Sequence, residues 1–483
     1  YAKELNLITG RNDIDYADLN TVAKTDGSDK PDFALDVAAL GGMYANQIFM
    51  VGTEAGVGVN MLGEMASSTR DMTLRADGSL VINKAISGRD LVLQSDSGDI
   101  TLNGTSYSVN DTALVASGTV TNNGLMIAES GLEVTASHLT NALDAQVQSF
   151  GTQDVQLTQD FINSGEFTSD GALSISADNI FNRGILGGGD TVTLAALDTI
   201  ENYNSVSPLT GSVLFSVGDM FLYGQTVTNR LSEIFGLENI LIQGDALGNA
   251  AQDVLNISAT LQSYGNLNVK AQNFVNRREG IDVIDNSAFC DGVDDWPCDH
   301  VLDDALFYGL GPFTSWRDGW LGAEAMFYIE KQWGYPDPWQ PLKTNAEVYQ
   351  ELIDLFELST REPEIYVGND LNVVAASFRN EGGFINAVND INADVAVFEN
   401  ISRFAIMPSR VGFTIESESF LDGDFEYEIF NSDFQHAFIF YEGYMLAGNN
   451  LNINATDPIS NGYEDSGDFE DLIIPDVELP DAP

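Results

Sequence analysis

Apolar and polar residues alternate in short runs along most of this chain. Leu132-Glu133-Val134-Thr135-Ala136, Leu173-Ser174-Ile175-Ser176-Ala177, Leu267-Asn268-Val269-Lys270-Ala271 and Leu371-Asn372-Val373-Val374-Ala375 are examples, and Leu451-Asn452-Ile453-Asn454-Ala455 repeats the step near the end. Between them lie shorter apolar steps closed by asparagine: Leu139-Thr140-Asn141, Phe161-Ile162-Asn163, Ile180-Phe181-Asn182, then Val227-Thr228-Asn229, Phe274-Val275-Asn276 and Phe378-Arg379-Asn380. Alternation at period two puts every second side chain on one face, so each run reads as a half-buried strand. Gly, Asn, Asp and Ser between the runs supply turns. Helical periodicity is absent from these segments.

The asparagines also set a period. Asn122, Asn141, Asn163, Asn182 and Asn202 follow at spacings of 19, 22, 19 and 20. A unit of about twenty residues is too short for a core of its own and fits one coil of a solenoid that buries its apolar face against the next. The prediction is an all-β chain, a parallel β-helix with about three short strands per coil. Asparagine at a fixed turn position would stack into a ladder, each amide bonding to the coils above and below. A β-sandwich or jelly roll is disfavoured by the near-constant period over 120–280.

The repeat covers 1–279, breaks at 280–362 and resumes over 363–457. The break holds all five tryptophans (Trp296, Trp316, Trp320, Trp333, Trp339) and both cysteines. Between 280 and 360 there are sixteen acidic residues and three basic ones, Arg317, Lys331 and Lys343. Tryptophan and tyrosine give wide, rigid contact area with a polar edge, so they concentrate at binding hot spots and stack on sugars. Trp316, Trp320, Trp333, Tyr335 and Trp339 are the receptor-binding candidates. The prolines of Trp333–Pro341 preorganise that loop. The competing reading is a mini-core that seats the insertion, and it accounts for most of the rings. Thr344 and Glu347 form a capping-box pattern, with Val348, Leu352, Leu355 and Phe356 on one helical face. Cys290 and Cys298 could close a small disulfide loop, as in exported proteins, or remain free thiols. From 404 to 446 many phenylalanines recur, read most simply as rings stacked inside the coils, with a second extrahelical segment as the alternative. Residues 458–483 are acidic and proline-bearing, like a cap edge or linker.

Charge narrows the partners. There are 73 acidic against 20 basic residues, a net charge of −53. Such a surface repels nucleic acid and anionic lipid. Its carboxylates could take up Ca²⁺, although a solvated acidic face is the plainer reading, and no cofactor is implied. No stretch resembles a signal peptide or a membrane span; Ala305–Ile329 carries Arg317, Asp318 and Glu324. The chain starts at Tyr1, as a segment of a longer protein would. His138, His300 and His436 lack zinc-ligand spacing. His300 with Cys290, Cys298 and nearby aspartates is a weak metal pattern. Gly187-Gly188-Gly189-Asp190 reads as a turn. No nucleophile elbow or phosphate loop occurs. Because β-helices also host polysaccharide lyases and glycoside hydrolases, an extracellular glycan-cleaving enzyme is the competing class, which would need aligned carboxylates.

The stretch Leu35–Asn60, centred on Ala39–Val59, adds a resemblance. Its Leu40-Gly41-Gly42-Met43-Tyr44-Ala45-Asn46-Gln47-Ile48 and Gly56-Val57-Gly58-Val59-Asn60, preceded by Leu5-Asn6-Leu7-Ile8-Thr9-Gly10, are similar to a signature of filamentous haemagglutinin-type exoproteins. These are secreted by the two-partner route in Gram-negative bacteria. The resemblance implies a right-handed parallel β-helix at the cell surface, an outer-membrane secretion partner and a target-cell receptor protein or glycan. Members include adhesins and the contact-dependent growth inhibition proteins, in which a filament presents a receptor-binding region and carries a toxic C-terminal domain. Nothing in this chain resembles the toxic domain.

Overall fold

The computed structural model describes residues 2–15, 21–24, 29–204, 211–278, 361–407, 437–441 and 443–463, with two short pieces at 326–327 and 343–344. Two compact units emerge: Tyr1–Arg277 with Glu362–Asn400 and Tyr444–Ser460, and Arg278–Arg361 with Ile401–Gly443 and Asn461–Pro483.

The first unit is a parallel β-helix with three strand faces per coil. On face one, Leu91–Ser95, Thr112–Ala116, Leu132–Ala136 and Gln153–Leu157 lie one above another in parallel register. Face two stacks Thr119–Asn122, His138–Asn141 and Asp160–Asn163. Face three stacks Leu125–Ala128, Gln146–Ser149 and Glu166–Ser169. Alternation sends one set of side chains inward. Leu93, Leu114, Val134, Val155, Ile175 and Leu194 form a continuous inner column on face one, each fully buried. Each such side chain contributes roughly 1.5–3 kcal/mol of burial. Where coils carry phenylalanine, rings stack inside too: Phe274 and Phe378 lie 4.9 Å apart at 18°. The signature stretch supplies the strands Phe33–Val37, Gly42–Ala45 and Ile48–Gly52, and Ile48–Gly52 pairs in parallel with Leu5–Thr9.

The expected ladder is present and longer than the sequence pattern showed. Asn122, Asn141, Asn163, Asn182, Asn202, Asn229, Asn256, Asn276, Asn380 and Asn400 form one line, each amide donating to the next side-chain oxygen at 2.8–2.9 Å. The other amide hydrogen goes to a backbone carbonyl, as from Asn182 to Val213 at 2.9 Å. All but Asn400 are buried, so the amides are satisfied where an unpaired one would be costly. Asn256 and Asn400 join the line beyond those read from the sequence, and Asn256 lies 27 residues from Asn229 in a lengthened coil.

Two sequence readings change. Gly187 and Gly188 are not a turn but end the face-three strand Ile185–Gly188, where the ring of Phe215 occupies the space a Cβ on Gly187 would need. Phe404, Phe438 and Phe440 do not sit in the parallel stack; Arg403–Met407 pairs antiparallel with Ala437–Tyr441 in the second unit. The other described strands of that unit include Met326–Phe327, antiparallel to Lys343–Thr344.

Replacing Asn182 by Leu strands an amide hydrogen of Asn163 and the oxygens of Asn202 and Val213. The expected loss is about 3 kcal/mol in urea unfolding. Asn182→Asp cannot donate when ionised and is expected to be worse at neutral pH, recovering as pH falls and the buried carboxyl protonates.

Candidate partner-binding region at the ladder corner

The corner after the ladder asparagine is where the chain makes its longest changes of length; one further coil is lengthened at 244–250, between Ile240–Gln243 and Ala251–Ile257. Ordinary coils close it with Asn-x-Gly: Asn122-Asn123-Gly124, Asn163-Ser164-Gly165 and Asn182-Arg183-Gly184. Glycine is required by close approach. A Cβ on Gly124, Gly165 or Gly184 would lie 2.0–2.1 Å from a carbonyl oxygen of the coil before. Elsewhere the corner is turned through a left-handed residue instead, at Asp144 (φ 63°), Leu231 (φ 49°), Ser258 (φ 46°) or Gly382 (φ 58°), a conformation costly for most side chains.

Three expansions of the chain leave from this corner. The coil after Asn202 is lengthened between Asn202 and Val213, and 27 residues separate Asn202 from Asn229. After Asn276 the chain departs and returns at Pro363 and Glu364, so that 104 residues separate Asn276 from Asn380. After Asn400 it departs again and returns at Tyr444, placing Phe384 in register with Tyr444. The ladder closes each gap. The Asn276 amide reaches both the Asn380 side chain at 2.8 Å and the Pro363 carbonyl at 3.3 Å, while Asn256 reaches the Glu364 carbonyl at 3.2 Å. Asn380 likewise donates to Asn400, to Gly383 and, at 3.2 Å, to the Tyr444 carbonyl. Faces one and two continue across the first gap without a shift, Leu267 opposite Leu371 and Phe274 opposite Phe378.

Charge is concentrated beside this corner. The Arg379 guanidinium contacts Glu399 and lies 3.0 Å from Glu381, a carboxylate almost wholly buried. A buried carboxylate is tolerable only with such a partner. On other turns, carboxylates cap backbone amides of an adjacent coil or of their own turn. Asp77 accepts from the Gly56 amide at 2.6 Å, which holds its pKa below the ordinary range. Asp245 accepts from the side chain and backbone of Asn249, with the same effect.

The receptor candidates Trp316, Trp320, Trp333, Tyr335 and Trp339, the pair Cys290 and Cys298, His300, His436 and the expected helix after Thr344 lie outside the described residues. His138 is described; its Nδ1 lies 3.1 Å from the Ser137 hydroxyl. Among the described residues no group of three or more His, Cys, Asp or Glu is placed to hold a metal ion, and no helix is long and apolar enough to cross a membrane.

Comparison with known proteins finds relatives over parts of this chain. The tRNA nuclease CdiA-2 of Burkholderia pseudomallei (strain 1026b) is 46% identical over 83 residues, 17% of this chain and 3% of that protein. The toxin CdiA of Yersinia pestis is 48% identical over 101 residues, 20% of this chain and 3% of that protein. The deoxyribonuclease CdiA of Dickeya dadantii (strain 3937) is 26% identical over 342 residues, 68% of this chain and 9% of that protein. The chain thus matches less than a tenth of the length of each of these relatives. No family model and no solved structure matches it.

The depressed carboxyl groups set a pH response. A carboxyl whose folded pKa is lowered stabilises above its unfolded pKa, about 3.9, and that contribution is lost as pH falls below it. Hydrogen exchange at the Gly56, Leu247 and Asn249 amides, normalised for intrinsic rate, is expected to accelerate below about pH 4. Asp77→Asn and Asp245→Asn should flatten the response at their own amides only.

Proposed function

For a chain that is a homologue of the contact-dependent growth inhibition proteins, exoproteins of the filamentous haemagglutinin type, we propose the role of a non-catalytic filament segment that carries a partner-binding region. It belongs to a secreted protein of the bacterial cell surface. The observation that supports this reading best is the ladder's passage from Asn276 to Asn380. The coils on either side of the break pair directly with each other in unshifted register, so in this reading the segment 280–362 is free to diverge in sequence. A tRNA nuclease and a deoxyribonuclease both share stretches with this chain. Stretches shared with proteins named for different reactions fit a role outside either reaction.

In this reading the segment contacts a target-cell receptor, protein or glycan, through some of Trp316, Trp320, Trp333, Tyr335 and Trp339. The Trp333–Pro341 loop is the leading contact, and a Cys290–Cys298 disulfide closes a nearby loop. The remaining rings seat the segment. An outer-membrane partner exports the full-length protein.

Deleting 285–358 is expected to leave the strand circular-dichroism signal intact while target-cell binding disappears. Binding that survives the deletion would overturn the proposal. The purified chain is expected to release no products from acidic polysaccharides, with or without Ca²⁺; cleavage would favour a lyase or hydrolase instead.

A further inference from the structure

After three coils with polar or empty outward positions, the surface of face three becomes aromatic again near Val213. On face three one outward position runs in register through Gln148, Thr168, Gly187, Phe215, Phe235, Gln262 and Tyr366. The same position is apolar or aromatic on earlier coils at Ile86, Tyr107 and Ile127, polar or empty from Gln148 to Gly187, and mostly aromatic again from Phe215 onward. At the next corner Val217, Leu237 and Tyr264 follow these strands and are 45%, 45% and 54% exposed. Phe215 and Phe235 stack at 5.8 Å and 17°, and Tyr264 meets Tyr366 edge-on at 6.4 Å. These six side chains form one apolar stripe on successive coils. Contiguous exposed apolar surface of this kind marks an interaction site.

The geometry selects the occupant. One side of the Phe215 ring sits over Gly187, where an added Cβ would be 2.4 Å from a ring carbon, and the other faces Phe235. The broad face of Phe215 is therefore taken, and the stack turns ring edges outward. A sugar needs a free ring face; side chains of a protein pack well against ring edges and against Val217 and Leu237. The charge around the stripe selects further. From Val213 to Asn266 there are five acidic residues (Asp219, Glu233, Glu238, Asp245, Asp253) and one basic residue, Arg230. A second copy of this chain, or an anionic lipid surface, would bring like charge against it. We propose that this stripe is a docking surface for a protein partner presenting aliphatic or aromatic side chains flanked by lysine or arginine. It lies on the coils themselves and is independent of the role proposed for 280–362.

The test uses the whole chain and fluorescently labelled short peptides: alternating Leu and Lys, alternating Leu and Glu, and alternating Gly and Lys. Fluorescence anisotropy is expected to show tightest binding of the Leu/Lys peptide. Leu237→Ser with Tyr264→Ser should weaken it about tenfold, as loss of a hot spot does. Leu143→Ser with Phe150→Ser, exposed apolar residues of earlier coils, should leave it unchanged. Circular dichroism of each variant confirms the fold, and Leu237→Glu alone repeats the measurement if the double change disturbs it. Equal loss in both double variants, or Gly/Lys binding as tight as Leu/Lys, would reduce the effect to bulk charge and overturn the proposal. Equal binding of Leu/Glu would remove the basic flank. A dimer of the chain in sedimentation that Leu237→Ser dissolves would assign the stripe to self-association instead.

Discussion

The line of asparagine amides inside the ladder corner is the interaction on which the other features depend. Parallel strands supply regular backbone bonding within each face, but a corner interrupts that ladder and would leave its amides and carbonyls without partners. A buried asparagine has two donors and an acceptor to spend there. Each side chain passes one hydrogen bond to the next coil and another to that coil's backbone, from Asn122 to Asn400. Because coils contact only their neighbours, stability is close to a sum of local terms. A bond that spans 104 residues of sequence at the same 2.8 Å as one spanning 20 is therefore what makes an interruption harmless.

The same logic gives the acidity a structural part. Aspartate oxygens accept from backbone amides one coil away: Asp99 from Thr119 at 2.7 Å, Asp111 from Gly131 at 2.8 Å, Asp370 from Asp390 at 3.2 Å. Such bonds give turn amides that the strand ladder leaves over an acceptor on the neighbouring coil. The basic residues Arg70, Arg75, Lys84 and Arg89 pair with Glu4, Asp96, Glu64 and Asp71 on the surface. Exposed pairs of that kind contribute at most about 1 kcal/mol each. From 90 to 182 there is no lysine or arginine at all, so the coils there are held by burial and hydrogen bonds rather than by ion pairs.

The corners and faces are specialised. A corner sealed by glycine has no room for a side chain, let alone an exit. A corner turned through a left-handed residue, or opened after a ladder asparagine, can carry extra chain. The proposed partner-binding segment leaves at such an opening. The aromatic stripe, by contrast, uses outward strand positions and the next corner, where side-chain identity is unconstrained by the core. A filament built this way can acquire contact surfaces by either route without disturbing the column of aliphatic side chains within.

The repeat, the strands and most of the ladder were legible in the amino-acid order, because period-two alternation and a buried amide every coil are local demands that recur with the coil. The stretch Leu35–Asn60 was legible through its resemblance to a family signature instead, and its Ile48, Met50 and Val59 lie in the core. Other features depend on which coils become neighbours. Nothing local at Asn276 names Asn380 as its partner, and nothing at Gly187 announces the ring of Phe215, since both follow from register between segments far apart in sequence. Phe404, Phe438 and Phe440 belong to core-like runs, yet their strands pair antiparallel with each other, while Phe384 is in register with Tyr444. The chain's own order determined the repeating unit and its inward face; stacking decided which interruptions are bridged and which outward side chains meet, because those contacts exist only once one coil lies on another.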